Sequence, residues 1–345
     1  MGQTKQTPPQ TMRQTDNPES DQGLDLSVDL APNNPRHLRL TNPVMIASGT
    51  FGYDGYGRGI TEDMDLGELG AVVPKTFTRQ PREGNPEPQW YPQSYREAWD
   101  TGDFLFLNAI GLTNPGIEAA LREVTPGWSS WNANVVFSFA SDSVEQFAEM
   151  AAMADHGSGF QAIELNLSCP NVEDGSLFGH SATLTSQAVA AVRANTDLPI
   201  LAKLAPNVPD ITVIARAAVD AGADALTICN TVPAMRIDTQ SRRPVLGNVT
   251  GGLSGPALRP ISLALVYQAS NAVDVPIIGV GGILTGEHAA EYILAGASAV
   301  QIGSANLMGL SAPWRILGEL QDWMRQAGAA SLKELTGGIR PVLKV

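Results

Sequence analysis

The chain has 345 residues, 43% of them hydrophobic, with 22 Lys+Arg against 35 Asp+Glu and a formal net charge of −13. That balance, with no basic stripe, argues against a nucleic-acid partner, since phosphate backbones recruit clustered Lys and Arg. Two cysteines, Cys169 and Cys229, cannot build a disulfide framework and fit a reducing cytoplasm.

Residues 1–23 are rich in Gln, Thr, Pro and Asp and hold no apolar core, so they read as a disordered tail and not a signal peptide. The opening Met-Gly-Gln-Thr-Lys-Gln misses the myristoylation pattern at Gln6. No run of ~18 apolar residues marks a membrane span. Residues 24–345 are expected to form one catalytic domain, a length that suits a single α/β barrel.

Eight short apolar runs then follow: Pro43–Ser48, Ala71–Lys75, Val135–Ala140, Ala162–Leu167, Ile200–Ala205, Ala225–Asn230, Ile277–Val280 and Ala299–Gly303. Helical spacing appears over Ser143–Ala154, Ser186–Ala194, Ile211–Ala221, Leu258–Ala272 and Gly286–Ala295. Strand alternating with helix predicts parallel βα units, and eight of them predict a closed (β/α)8 TIM barrel, with a doubly wound open sheet as the competing topology. Polar residues recur at the carboxyl ends of the runs: Ser48, Lys75, Ser138, Asn166, Lys203, Asn230 and Ser304. A barrel gathers those ends on one face, where its active site is built. The segment of about residues 76–134 is too long for a plain βα connection. It is expected to be an extended, ordered loop over the barrel mouth with Asn108 pointing inward, or else a surface excursion with its own apolar cluster.

The stretch Glu164-Leu165-Asn166-Leu167-Ser168-Cys169-Pro170-Asn171 alternates with period two. Ile163, Leu165 and Leu167 face one way; Glu164, Asn166 and Ser168 face the other. Pro170 is expected to end the strand, leaving a thiol between two carboxamides. Such a thiol serves as base or nucleophile once deprotonated, and the amides can grip a ligand bearing C=O and N–H groups. The competing reading is a Cys that only packs at a strand end.

The last two strands run into Gly-Val-Gly-Gly-Ile (279–283) and Ile-Gly-Ser-Ala-Asn (302–306), and Gly251-Gly252-Leu253-Ser254-Gly255 follows strand six. Glycine lets backbone N–H groups approach an anion, so three such runs on one rim predict a phosphate site. With neither a Walker sequence nor a strand–GxGxxG–helix unit, a mononucleotide-like cofactor is expected rather than ATP or directly bound NAD. Lys75 and Lys203 fall in apolar runs and need anionic partners. Glu164 could pair with Lys203; an anionic ligand, or a cofactor ring that becomes anionic on reduction, is the alternative. Arg79/Arg82 and Arg242/Arg243 read as solvated loop charges. The four histidines, His37, His156, His180 and His288, lack metal-ligand spacing, and no metal is expected.

Together Asn-Leu-Ser-Cys-Pro-Asn, Asn-Ala-Ile-Gly-Leu, Asn-Thr-Val-Pro-Ala-Met-Arg-Ile-Asp (230–238), Val-Thr-Gly-Gly-Leu-Ser-Gly-Pro-Ala (249–257) and Gly-Val-Gly-Gly-Ile resemble dihydroorotate dehydrogenase, most closely the catalytic subunit of the class 1B, NAD-linked type. The likeness covers about residues 24–310, with the motifs in family order.

The resemblance implies a cytoplasmic flavoprotein that oxidises dihydroorotate to orotate in pyrimidine synthesis on FMN. It matches Cys169 to the base that takes the proton from ring carbon 5 while hydride leaves carbon 6. Lys75, Asn108, Ala109, Ile110, Gly111, Leu112, Asn166, Asn171, Asn230 and Thr231 match substrate contacts. Ser48, Lys75, Thr76, Asn166, Lys203, Cys229, Gly255, Gly281, Gly282, Gly303 and Ser304 match flavin contacts. It further implies a homodimer within a heteromer whose electron-transfer subunit carries FAD and an iron–sulfur cluster and delivers electrons to NAD.

Two departures from the family pattern stand out. Ser138 replaces the usual Asn, and the stretch around Tyr95–Phe106 (Arg96, Glu97, Trp99, Asp100) is longer than usual. The rival functions are a flavin-dependent dihydropyrimidine dehydrogenase, a fumarate-using dihydroorotate dehydrogenase without a partner, and a flavin-binding scaffold without catalysis. Lys75 speaks against the first, since neutral uracil has no carboxylate for it. Cys169, Lys75 and the asparagines together speak against the scaffold.

Overall fold

The computed structural model describes residues 23–53, 64–92, 105–168 and 177–340. The tail 1–22, the insertion residues Tyr95, Arg96, Glu97, Trp99 and Asp100, and the site residues Cys169, Pro170 and Asn171 lie outside them.

All eight apolar runs form strands of one parallel sheet: Val44–Ile46, Ala71–Val72, Val136–Phe139, Ala162–Asn166, Ile200–Leu204, Ala225–Ile228, Ile277–Val280 and Ala299–Ile302. The first strand pairs with the last as well as with the second. The ring closes where Val72 bridges Val135, with the Val72 and Phe77 amides donating to the carbonyls of Asn134 (2.8 Å) and Ser138 (2.9 Å). The chain therefore folds as the expected (β/α)8 barrel, and the open-sheet alternative is set aside.

Period-two alternation sorts each strand into an inner and an outer face. Toward the amino ends the interior is apolar: Met45, Ala71, Val136, Ala162, Leu201, Ala225, Ile278 and Ala299 pack together. Leu30, Leu38 and Leu40, on and around the antiparallel pair Val28–Asp29 and Arg39–Leu40, join that cluster and plug the lower end. Two residues further along the same faces the interior turns polar, with Glu164, Lys203, Thr227 and Gln301 all buried. The outward residues Ile163, Leu165 and Leu167 pack instead with apolar faces of the surrounding helices.

Those helices span Val144–Asp155, Ala182–Arg193, Ile211–Asp220, Arg259–Ser270 and Gly286–Leu294. Side-chain caps fix several starts: Ser143 accepts from the Gln146 amide at 3.2 Å and Thr285 from the His288 amide at 3.2 Å. The second helix begins at Ala182 rather than Ser186, because Ser181 caps the Leu184 amide. A long helix, Ala312–Ala327, had no counterpart among the predicted segments; it buries Ile316, Leu320 and Met324. Its backbone comes so near Gly286 that a Cβ there would lie 2.2 Å from the Leu320 nitrogen. None of the described helices is long and apolar enough to cross a membrane.

The segment expected as a loop over the mouth is in part a sheet. Trp90–Tyr91, Phe106–Asn108, Gly251–Ser254 and Val232–Ala234 form four antiparallel strands. Sequence spacing hides this pairing, because the partners come from loops after strand two and strand six. Arg79 and Arg82 are not solvated charges: Arg79 bridges Glu118 (3.1 Å) and Glu149 (2.8 Å), and Arg82 pairs with Asp142.

Candidate active site

The barrel strands' carboxyl ends open into a cleft enclosing ≈ 970 Å³ of empty space, its solvent-facing mouth included. Asn166 ends its strand on the inner face. Its Oδ1 accepts from Nδ2 of Asn230 at 3.1 Å and from the Ser168 amide at 3.2 Å. Asn230 Nδ2 donates also to Ser168 Oγ at 2.7 Å, while Asn230 Oδ1 accepts from the Thr231 amide at 2.8 Å. The two carboxamides are thus held in fixed orientations, with both carbonyl oxygens already engaged. Asn108 reaches the same cleft from the covering sheet, its Nδ2 3.5 Å from the Gly252 carbonyl.

Two lysines line the cleft, and their surroundings differ. Lys203, 8% exposed, lies 3.6 Å from Oε1 of the fully buried Glu164. The pairing allowed by the sequence is therefore made. Lys75 follows its strand rather than lying in it: the strand ends at Val72, and the Lys75 amide donates to the Gly52 carbonyl. Its ammonium has no ion-pair or hydrogen-bond partner among the described residues, and burial pushes its pKa below the usual lysine range. An uncompensated lysine in a cleft is a demand for an anion.

Starting from the strand next to that of Asn166, the hydroxyls of Ser138, Thr76 and Ser48 form a chain, with oxygens 2.9 Å and 2.8 Å apart. Ser48 and Thr76 line the cleft; Ser138 does not, being 1% exposed and turned to Thr76. At the rim, Gly281 and Gly282 have φ of 140° and 65°. A Cβ on Gly282 would stand 2.8 Å from the Gly255 carbonyl, so only glycine permits this close approach. Gly303 also lines the cleft, where a Cβ would make only ordinary contacts with Ala47 (3.8 Å) and Thr50 (4.0 Å), and it leads into the short helix Ser304–Met308. These backbone groups, with the Ser48 and Thr76 hydroxyls and Lys203, supply the donors that a phosphate and a polar ring require. Cys229 also lines the cleft, but burial pushes its thiol up to about 12, against the lowering effects of Ser262 and Lys203. At neutral pH it is a packing group, not a base.

A model of the family described as dihydroorotate dehydrogenase matches residues 32–324. The chain belongs to the dihydroorotate dehydrogenase family. One relative, the "Dihydroorotate dehydrogenase B (NAD(+)), catalytic subunit" of Desulforudis audaxviator, is 45% identical over 301 residues, 87% of this chain and 94% of its own length. Proteins of the same description from Pelobacter propionicus and Geobacter sulfurreducens are 44% and 43% identical over 316 residues, 91% of this chain and 98% of theirs. The resemblance carried by the sequence motifs is borne out, and the chain is an oxidoreductase of this family.

In this dihydroorotate dehydrogenase chain the cleft gathers most of the residues singled out by sequence. Ser48, Lys75, Thr76, Asn108, Ile110, Leu112, Asn166, Lys203, Cys229, Asn230, Thr231, Gly255, Gly281, Gly282, Gly303 and Ser304 all line it. Ala109 and Gly111 do not. Ala109 packs with Leu107 and Leu246 on the far side of the covering sheet, and a Cβ on Gly111 would meet Asn85 at 2.7 Å. Alternation explains the split, since only every second residue of 108–112 can face the cleft. Trp90, Thr50, Ser254 and Leu307 line it without having been singled out as site residues. For Ser254 the glycine run around it was a signal. For Trp90 there was none, because it arrives through its pairing with Asn108.

Proposed function

We propose that this chain is the catalytic subunit of an NAD-linked dihydroorotate dehydrogenase, oxidising dihydroorotate to orotate on FMN in pyrimidine synthesis. One observation carries the reading: partly buried Lys75, without a counter-ion among the described residues, shares a cleft with the carboxamides of Asn108, Asn166 and Asn230. The substrate's single carboxylate suits the lysine, and its ring, with paired C=O and N–H edges, suits carboxamides. Neutral pyrimidines satisfy only the second demand.

The donor set and the glycine rim fit FMN. Ser48, Thr76 and Lys203 would hold the ring, and Gly255, Gly281, Gly282, Gly303 and Ser304 the phosphate end. When bound, the flavin supplies the hydride acceptor. The chain's own residues then bind, orient and deprotonate. Lys75 anchors the carboxylate. Asn230 stays aligned through its bonds to Asn166 and Ser168, so the ring enters one way round. Cys169, which follows Ser168 directly in sequence, is assigned as the base that takes the proton from ring carbon 5. A positioned base is worth ~10²–10⁴ in rate.

Electrons leave through a second subunit. The chain has two cysteines, too few for a four-cysteine iron–sulfur cluster of its own. The partner is therefore assigned the FAD and the iron–sulfur cluster, in a cytoplasmic heteromer built on a homodimer of this chain. The test uses the FMN-loaded chain under anaerobic conditions. Dihydroorotate should bleach the flavin and support reduction of a dye, with NADH formed only after the partner is added. No bleaching by dihydroorotate, or robust NADH formation by the chain alone, would overturn the reading.

A further inference from the structure

Beneath the cleft lies a carboxylate that the reaction does not call for. Glu164 is 0% exposed. Its Oε2 accepts from Gln301 Nε2 at 2.7 Å and from Thr227 Oγ1 at 3.2 Å. Its Oε1 has no hydrogen-bond donor among the described residues and faces the Lys203 ammonium across 3.6 Å. Lys203 in turn has no other anionic partner among the described residues, and it lines the cleft.

Stability alone does not account for such a pair. Desolvating two charges costs about as much as their attraction returns, and apolar side chains of similar volume commonly do as well or better. A wholly apolar barrel layer was available, as the Met, Val, Leu, Ile and Ala side chains of the layer below demonstrate. What the pair provides is a fixed charge: two neutral donors pin Oε2, so Oε1 is held against the lysine from below.

We propose that Glu164 is a positioning residue for the flavin, keeping Lys203 cationic and aimed into the cleft so that the site favours the flavin's electron-rich, reduced form. Among the described residues, the charged and titratable groups around Lys203 are few. Glu164 lies below it, Cys229 carries a neutral thiol beside it, and Lys75 is a second cation in the same cleft. Without the carboxylate, Lys203 would be a buried cation with no anionic partner among the described residues. A lysine so placed sheds its proton rather than remain charged and unpaired.

The inference rests on the flavin reading above and can fail apart from it. The experiment is spectroelectrochemical titration of the FMN-loaded chain and of its Glu164→Gln variant at pH 7. The variant's preference for reduced over oxidised FMN should fall at least tenfold, a drop of about 30 mV for a two-electron couple. In the double variant Glu164→Gln/Lys203→Met the preference should match the single variant within about twofold, because Glu164 acts only through Lys203; a purely structural role for the carboxylate would not make the two coincide. If Glu164→Gln does not accumulate folded, Glu164→Asp carries the test. Drawing the carboxylate back by one methylene should lower the preference in the same direction by a smaller factor. A potential at or above that of the unaltered chain in either single variant, or a double variant well below the Gln variant, overturns the proposal. Failure of the unaltered chain to bind FMN would instead remove the flavin reading itself.

Discussion

Tyr292 donates a hydrogen bond from its hydroxyl to the carbonyl of Gly281, 2.7 Å away. The ring is fully buried beneath the strand Ile277–Val280, so close that a Cβ on Gly279 would stand 2.3 Å from it. A side chain on the outer helix Gly286–Leu294 thereby holds a glycine of the cleft's rim. Tyr292→Phe keeps the packing and removes that bond, worth ~0.5–1.5 kcal/mol, along with a longer one from the same hydroxyl to the Arg259 carbonyl at 3.4 Å. FMN should bind about two- to tenfold more weakly, with the fold intact by circular dichroism. Fluorescence titration of the flavin-free chain measures this directly.

Lys75 should read the substrate carboxylate. Lys75→Met should weaken orotate binding about tenfold or more, in keeping with the roughly 1.5–3 kcal/mol of a charge-assisted hydrogen bond. The same change should leave uracil binding nearly unchanged. Equal losses for both ligands would assign Lys75 to the flavin or to the fold.

The pH dependence follows from the direction of the Lys75 shift. Burial lowers its pKa below the ordinary 10.5, so just below pH 10.5 the folded, ligand-free chain binds fewer protons than the unfolded chain. Lys75 therefore makes ligand-free stability rise with pH through that window. Orotate binding, which needs the charged lysine, should weaken over the same window. Thermal midpoints of the ligand-free Lys75→Met variant should lose the rising component. Calorimetric titration of orotate between pH 7 and 10 supplies the second half of the check.

The two thiols should behave differently. Cys229 is buried with its pKa near 12, so alkylation of the folded chain at pH 8 should leave it unlabelled. Cys169→Ala should slow flavin reduction by ~10²–10⁴ while FMN stays bound. Peptide mass spectrometry and anaerobic stopped flow are the two measurements.

Phe137 ties the barrel wall to its surroundings, stacking on Phe77 (5.2 Å between centroids) and Phe160 (4.8 Å) at 0% exposure. Phe137→Ala should cost ~3–5 kcal/mol of stability. Because Ser138, next in the strand, bonds to Thr76 on the cleft wall, the same variant should also bind FMN more weakly. Urea unfolding and flavin titration separate the two effects.

The sequence alone settled the barrel and most of the cleft. Inner-face residues recur with period two, strand ends carry the polar groups, and all eight runs fall on observed strands. Those signals are local, since alternation and glycine runs are written within a few residues of one another. The family motifs added the identity of the chemistry. What the sequence could not decide depends on contacts between distant segments. The covering sheet joins residues 90–91 and 106–108 to 232–234 and 251–254, and no local pattern announces that pairing. Trp90 enters the cleft, and Ala109 leaves it, only because of the register that sheet adopts. The helix Ala312–Ala327 is fixed by its docking on Gly286–Leu294, where a glycine lets two backbones meet. Above all, the two lysines look alike in sequence. Only the pairing of strands sets Glu164 beside Lys203 and leaves Lys75 without a described partner, since charge compensation depends on which side chains neighbouring elements bring together and not on what lies along the chain.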